Sequence, residues 1–290
     1  MTEKISASII IVILSSAAGC QVQPAGPIAF SRLTGDYWQI WTIQPDGRAA
    51  KQITTSATDK RYPAWAEGGK KILFRTNNNK AFMADTASGE EKSILESFGL
   101  VGSLAESPDG SSLLFVRYIN NLKDSSDLWI STKDTKKQKV LTRDTGLQYD
   151  PAWSDDGRKI VYVSGHGYQT HELYIVDSDG KNKRRLTDNK AVEVLPAFSP
   201  DGKTIAYVSD ITDDFEIWLM DVDGRNPRQI TNNYGIDSRP YWSPDGDKII
   251  FVSNRSGQLQ LWIMNKDGSG ARQLTRAAQS MDPAWRKEPF

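Results

Sequence analysis

A chain of 290 residues with 36 basic and 36 acidic side chains carries no formal net charge, which disfavours nucleic acid or an anionic membrane surface as a partner, since both call for a basic footprint. Its single cysteine excludes an internal disulfide framework and any thiol-cluster metal site. Glycine (22), proline (13), tryptophan (9) and tyrosine (10) are plentiful in a chain of low overall hydropathy, a balance that suits many short strands joined by tight turns.

The N-terminus is of different material from the rest. Ile5 to Gly19 is an apolar, small-residue run behind Lys4, ending Ala17-Ala18-Gly19-Cys20. It reads as an export signal over residues 1–19, too short at about 15 residues for the ~20 of a spanning helix. Cys20, placed after small residues, resembles the acylated cysteine of bacterial lipoproteins, although Ala17 stands where a leucine is usual. With Gln21 behind it, outer-membrane placement is expected, and soluble periplasm if Cys20 is not acylated. Residues 20–27 then form a short linker.

From Ile28 onward a repeat takes over. Pro63-Ala64-Trp65, Pro151-Ala152-Trp153, Pro196-Ala197-Phe198, Pro240-Tyr241-Trp242 and Pro283-Ala284-Trp285 share one pattern, with Leu104-Ala105-Glu106 as a degenerate member, and the starts lie 41 to 47 residues apart. Turns such as Ser199-Pro200-Asp201-Gly202 follow, in which proline presets φ and glycine takes the left-handed position. Next come β-rich runs such as Ile160-Val161-Tyr162-Val163 and Glu216-Ile217-Trp218-Leu219-Met220. Their consecutive apolar residues require burial on both faces, as in stacked sheets. Asp-Gly hairpins such as Asp221-Val222-Asp223-Gly224 lead to outer strands ending at Thr54, Leu95, Thr142, Thr187, Thr231 and Thr275. Four-stranded units of ~40 to 45 residues are blades of a propeller.

The expectation is an all-β, six-bladed β-propeller of four-stranded antiparallel blades over residues 28–290. The chain opens on a second strand near Ile28–Ser31 and closes on an unpaired inner strand near Asp282–Arg286. Pairing of that C-terminal strand with the N-terminal blade should close the ring and remove its exposed edges.

The run from Pro240 through Ser243-Pro244-Asp245-Gly246 to Ser253, continued by Leu261-Trp262-Ile263-Met264-Asn265-Lys266-Asp267-Gly268 and closed by Arg272-Gln273-Leu274-Thr275, resembles the repeat of the TolB family of propellers. Blade two departs most, with Ala66-Glu67-Gly68-Gly69 for the usual turn and a short Asn77-Asn78-Asn79 loop. The resemblance implies a periplasmic propeller that binds envelope proteins. The family's namesake carries an α/β domain before its propeller; seven residues separate Cys20 from Ile28 here, so the likeness is to the propeller alone.

No Gly-x-Ser-x-Gly elbow is present, and no enzymatic activity is expected. The two histidines, His166 and His171, fall on one predicted loop, Ser164 to Glu172, and offer at most a loop contact. Trp129, Trp218 and Trp262 read as core between blades, and the Asp-Gly pairs as turns rather than calcium loops. The informative positions are those leading into the inner strands, which differ between blades and converge on a channel rim: Asp59, Arg61, Tyr149, Asp150, Glu193, Asp237, Arg239 and Asp282. They would suit an envelope protein or peptide carrying both signs of charge, bound by a monomer whose contact with the membrane is a lipid anchor alone. No cofactor is called for. The alternative is a small-ligand or metal-binding propeller, sensor or enzyme, with a cation such as calcium held among the rim carboxylates.

Overall fold

A computed structural model describes residues 26–119, 125–165 and 171–287. The expected signal segment, Cys20 and His166 lie outside the described residues. Blade one holds β1 (Ile28–Thr34), β2 (Tyr37–Ile43) and β3 (Lys51–Gln52); blade two holds β4 (Lys60–Ala66), β5 (Lys71–Thr76), β6 (Ala81–Asp85) and β7 (Glu91–Ile94). Blade three is β8 (Val101–Glu106), β9 (Ser112–Tyr118), β10 (Ser126–Thr132) and β11 (Gln138–Val140), and blade four is β12 (Leu147–Trp153), β13 (Lys159–Gly165), β14 (His171–Asp177) and β15 (Arg184–Arg185). Blade five is β16 (Glu193–Phe198), β17 (Thr204–Ser209), β18 (Glu216–Asp221) and β19 (Arg228–Gln229); blade six is β20 (Asp237–Trp242), β21 (Lys248–Ser253), β22 (Gln260–Asn265) and β23 (Arg272–Gln273). The last strand, β24 (Ser280–Trp285), pairs antiparallel with β1 and completes blade one from the other end of the ring.

Consecutive apolar residues are buried on both faces because each sheet is sandwiched. In β13, Ile160 and Tyr162 pack toward blade three, while Val161 and Val163 pack toward blade five. The same division recurs around the ring, so the core is six separate clusters, one at each blade-to-blade seam. Trp129, Trp218 and Trp262 are half-buried against these clusters, as the strand pattern predicts.

In five of the six blades the outer strand is tied down by one threonine. The hydroxyls of Thr54, Thr142, Thr187, Thr231 and Thr275 accept the backbone N–H of Ile40, Leu128, Leu173, Ile217 and Leu261 at 2.8–2.9 Å. Each hydroxyl donates in turn to Gln39, Asp127, Glu172, Glu216 or Gln260 on the third strand. Blade two lacks the pair: Lys80 stands where the third-strand acceptor would be and buried Leu95 where the threonine would be, exchanging a hydrogen-bonded lock for apolar packing.

The predicted loop Ser164–Glu172 is shorter than its polar composition suggests. β13 runs to Gly165 and β14 begins at His171, with Ser164 paired to Glu172 and Gly165 to His171. Glu172 is polar yet buried because Thr187, Arg185 and the Asn189 N–H satisfy its carboxylate, so the ladder continues where sequence polarity points to a loop.

Candidate functional site

The six inner strands β4, β8, β12, β16, β20 and β24 line a central channel. Proline has no N–H to donate and is tolerated at an edge strand, and here five prolines face the channel from such edges. The residue before each, Tyr62, Asp150, Leu195, Arg239 and Asp282, adopts a left-handed backbone with φ between 47° and 57°. At each, the strand register shifts by a bulge. A non-glycine residue in this region is strained by about 1–3 kcal/mol, and the position before proline disfavours helical conformations further. The bulge turns these side chains inward, forming one layer across the channel that Ser103 completes in blade three.

The layer is charged and internally paired. Asp282, buried in the channel wall, receives Arg239 Nη1 at 2.9 Å on one carboxylate oxygen and Arg61 Nε at 2.6 Å on the other. Burial alone would raise its pKa, but the two guanidiniums outweigh it and hold the carboxyl below its ordinary range. Arg239 also donates to Tyr62 Oη at 3.3 Å. Burial pulls its pKa down, Asp282 and Tyr62 more than restore it, and it stays a cation throughout. Asp150 accepts Ser103 Oγ at 3.4 Å, and burial pushes its carboxyl up despite the nearby Arg239.

Two hollows meet at this layer. The wider one, about 500 Å³, has a shaft walled by the channel prolines together with Ala64, Ala105, Ala152, Ala197 and Ala284. Its mouth opens among the first-to-second-strand turns. There Lys133 pairs with Glu106, and Lys287 pairs with Asp155. Glu106 also accepts the Glu67 N–H at 2.6 Å. The narrower hollow, about 350 Å³, lies on the other side of Tyr62 and Asp150, between blades two, three and four.

Of the eight rim residues read from the sequence, the structure brings Arg61, Tyr149, Asp150, Arg239 and Asp282 to the channel and its hollows. Tyr149 Oη lies 2.6 Å from His171 Nδ1 at the narrower hollow. The other three turn away. Asp237, fully buried, takes Asn233 Nδ2 at 2.8 Å and Arg255 Nη2 at 2.5 Å. Glu193 takes Asn189 Nδ2 at 2.6 Å, and burial raises its pKa. Asp59 accepts the Trp38 N–H at 3.0 Å. Glu193 and Asp237 begin their strands, where the alternation of β-structure aims them into the blade beside the third-strand acids rather than at the channel. The carboxylates expected to share a cation are thereby divided between two environments. Among the described residues no three metal-ligating side chains cluster.

A family model of the TolB β-propeller domain matches residues 75–213 and 194–288. The chain belongs to the TolB β-propeller domain family. The propeller of TolB from Acinetobacter baumannii superposes with a TM-score of 0.78 at 23% identity, covering 91% of this chain and 67% of that one. A protein of Agrobacterium tumefaciens described as TolB gives 0.76 at 21% identity, covering 91% and 94%. These likenesses establish the fold. An uncharacterized protein of Agrobacterium fabrum is 28% identical over 94 residues, which span 28% of this chain and 32% of that relative.

Within this TolB-family propeller, the wide mouth is what the rim reading misses. Its signal lay in departures from the repeat. Glu106 occupies the column that holds Trp65, Trp153, Phe198, Trp242 and Trp285 elsewhere, and Asp155 replaces the proline of the Ser-Pro-Asp-Gly turn.

Proposed function

We propose that this chain is an exported cell-envelope protein whose TolB-family propeller takes a segment of another protein into the wide half of its channel. One observation carries the reading. An apolar shaft is floored by a charged layer and rimmed by ion pairs of both signs, Lys133–Glu106 and Lys287–Asp155. Their carboxylates are largely buried while the two ammonium groups reach solvent, so the lysines can exchange partners with charges on an incoming chain, which favours recognition of an extended segment with mixed charge. The layer beneath is committed to its own ion pairs, which supports binding rather than turnover.

The anchor is the acylated Cys20, with the propeller on the periplasmic side of the outer membrane; the apolar run before that cysteine supports this placement. Replacement Cys20→Ala should move the protein from the membrane to the soluble envelope fraction, and an unchanged distribution would contradict the anchor.

The channel reading is tested by crosslinked capture from envelope extracts with the parent protein and with Ala197→Trp, which narrows the shaft. Captured partners should be lost while the melting temperature stays within a few degrees. Capture of the same partners by the narrowed channel would overturn it.

A further inference from the structure

Two columns of the repeat break at the same place, on the far side of the charged layer from the wide mouth. Two residues before each channel proline stand Arg61, Tyr149, Val194, Ser238 and Met281; blade three has Gly102. Opposite that position on the second strand stand Val163, Val208 and Val252, with Val116 beside Gly102; blade two has Arg75. Where one blade omits a side chain, its neighbour puts a guanidinium in a column otherwise held mostly by valine. The result is the hollow of about 350 Å³ between blades two, three and four.

Arg75 is poorly satisfied there. One terminal nitrogen bonds Asn79, and the guanidinium lies 4.3 Å from the Tyr62 ring centroid. Its Nε is buried without a hydrogen-bond partner, and among the described residues Arg75 forms no ion pair. Arg61 and Arg239 crowd the same ring at 5.5 and 4.7 Å. Those two share Asp282, so three guanidiniums meet two carboxylates, and burial favours the neutral form of the second, Asp150. The site lacks at least one negative charge.

We propose that this hollow binds a small organic carboxylate, with its charged end on Arg75 and its tail against Val116 and Leu147. Hydroxyl and imidazole donors surround that position. Burial lowers the His171 pKa, so the ring is neutral at pH 7, while burial and then Asp150 raise that of Tyr149. The phenol therefore keeps its proton; in the tautomer with hydrogen on Nε2 it donates to Nδ1, and the other ring nitrogen is then an N–H donor. Tyr118, lining the same wall, adds a second phenol. One guanidinium edge with neutral donors matches a planar carboxylate; a phosphate dianion would call for a second free cation. The apolar wall favours a ligand with a hydrocarbon or aromatic tail.

Titration calorimetry of the purified protein with sodium benzoate, acetate, phosphate and chloride at equal ionic strength tests this. Benzoate should bind saturably at one per chain and more tightly than acetate, with no saturable heat from phosphate or chloride. Arg75→Gln should weaken benzoate by roughly tenfold or more, the loss of one charged hydrogen-bond donor. Tyr118→Phe, which keeps the volume and fold, should weaken it by about threefold, and it decides the matter if Arg75→Gln does not fold. Ala197→Trp, on the other side of the layer, should leave benzoate binding unchanged, which separates this site from the channel reading. Absent saturation with either carboxylate, equal binding of phosphate, or affinities unaffected by both Arg75→Gln and Tyr118→Phe would overturn the proposal.

Discussion

Blades four to six and blades two to three are built on one plan and use it differently. The regular blades repeat the proline bulge, the inter-blade aromatic and the threonine lock. The lock holds an interior acid in place, as where Glu216 accepts from Thr231 and the Asn233 N–H. Blades two and three drop these devices one at a time: Leu95 for the threonine, Glu106 for the aromatic, Leu104 for the proline, Gly102 for a side chain, Arg75 for valine. Both hollows draw part of their walls from these departures. A repeat states its structural requirement in the copies that agree, and on a scaffold that tolerates variation the disagreeing copies are where binding groups can be placed.

The largest expected effect concerns the seam that both kinds of blade depend on. Truncation after Gln279 removes β24 and with it Trp285, which is 2% exposed at the seam between blades one and six. Since one buried tryptophan cut to alanine costs about 3–5 kcal/mol, loss of the whole strand should abolish the cooperative thermal transition; an unchanged melting temperature would break the closed-ring account. Next comes the lock of a regular blade. Thr231→Ala leaves the buried Glu216 without its hydroxyl donor, and denaturant unfolding should show a loss of about 1–3 kcal/mol.

Blade two sharpens the contrast from the other direction. Arg75→Val restores the valine of the regular blades, so stability should hold or rise by up to about 1 kcal/mol while carboxylate binding disappears. A marked loss of stability would mean that Arg75 is a structural residue. The smallest effect is a dependence on pH. Burial raises the Glu216 carboxyl above its ordinary value of 4.5, so the folded state binds this proton more tightly than the unfolded state does. Its contribution is complete below about pH 4.5 and is lost as pH rises through the native value. Gln39 and Gln260 fill the same place in other blades. Glu216→Gln should therefore stabilise at pH 7 and make little difference at pH 4, and equal effects at both would contradict the assignment.

Blade number, strand order and ring closure were all legible, because Pro-Ala-Trp and Asp-Gly recur with a period that only one architecture accommodates. The channel residues were legible in part. Asp150, Arg239 and Asp282 precede prolines, and the bulge that turns them inward accompanies that pairing. Glu193 and Asp237 looked equivalent to them, but each lies three residues upstream of its proline and outside the bulge, where strand alternation points it into the sheet. Arg75 escaped notice because a charged residue near a strand end reads as solvated surface. It stands out only against the valines that register, rather than sequence distance, makes its counterparts.

The pairing of β1 with β24 joins Arg32 to Ser280 across most of the chain. A ribosome delivers the first of these partners long before the second, so blade one must wait, half-made, while its neighbours have all their strands to hand. Contacts between such distant stretches form slowly, and during that interval the apolar edges of blades one, two and six are open to wrong pairing. The position of a single terminal strand thereby holds back closure of the ring until the end of the propeller has been made.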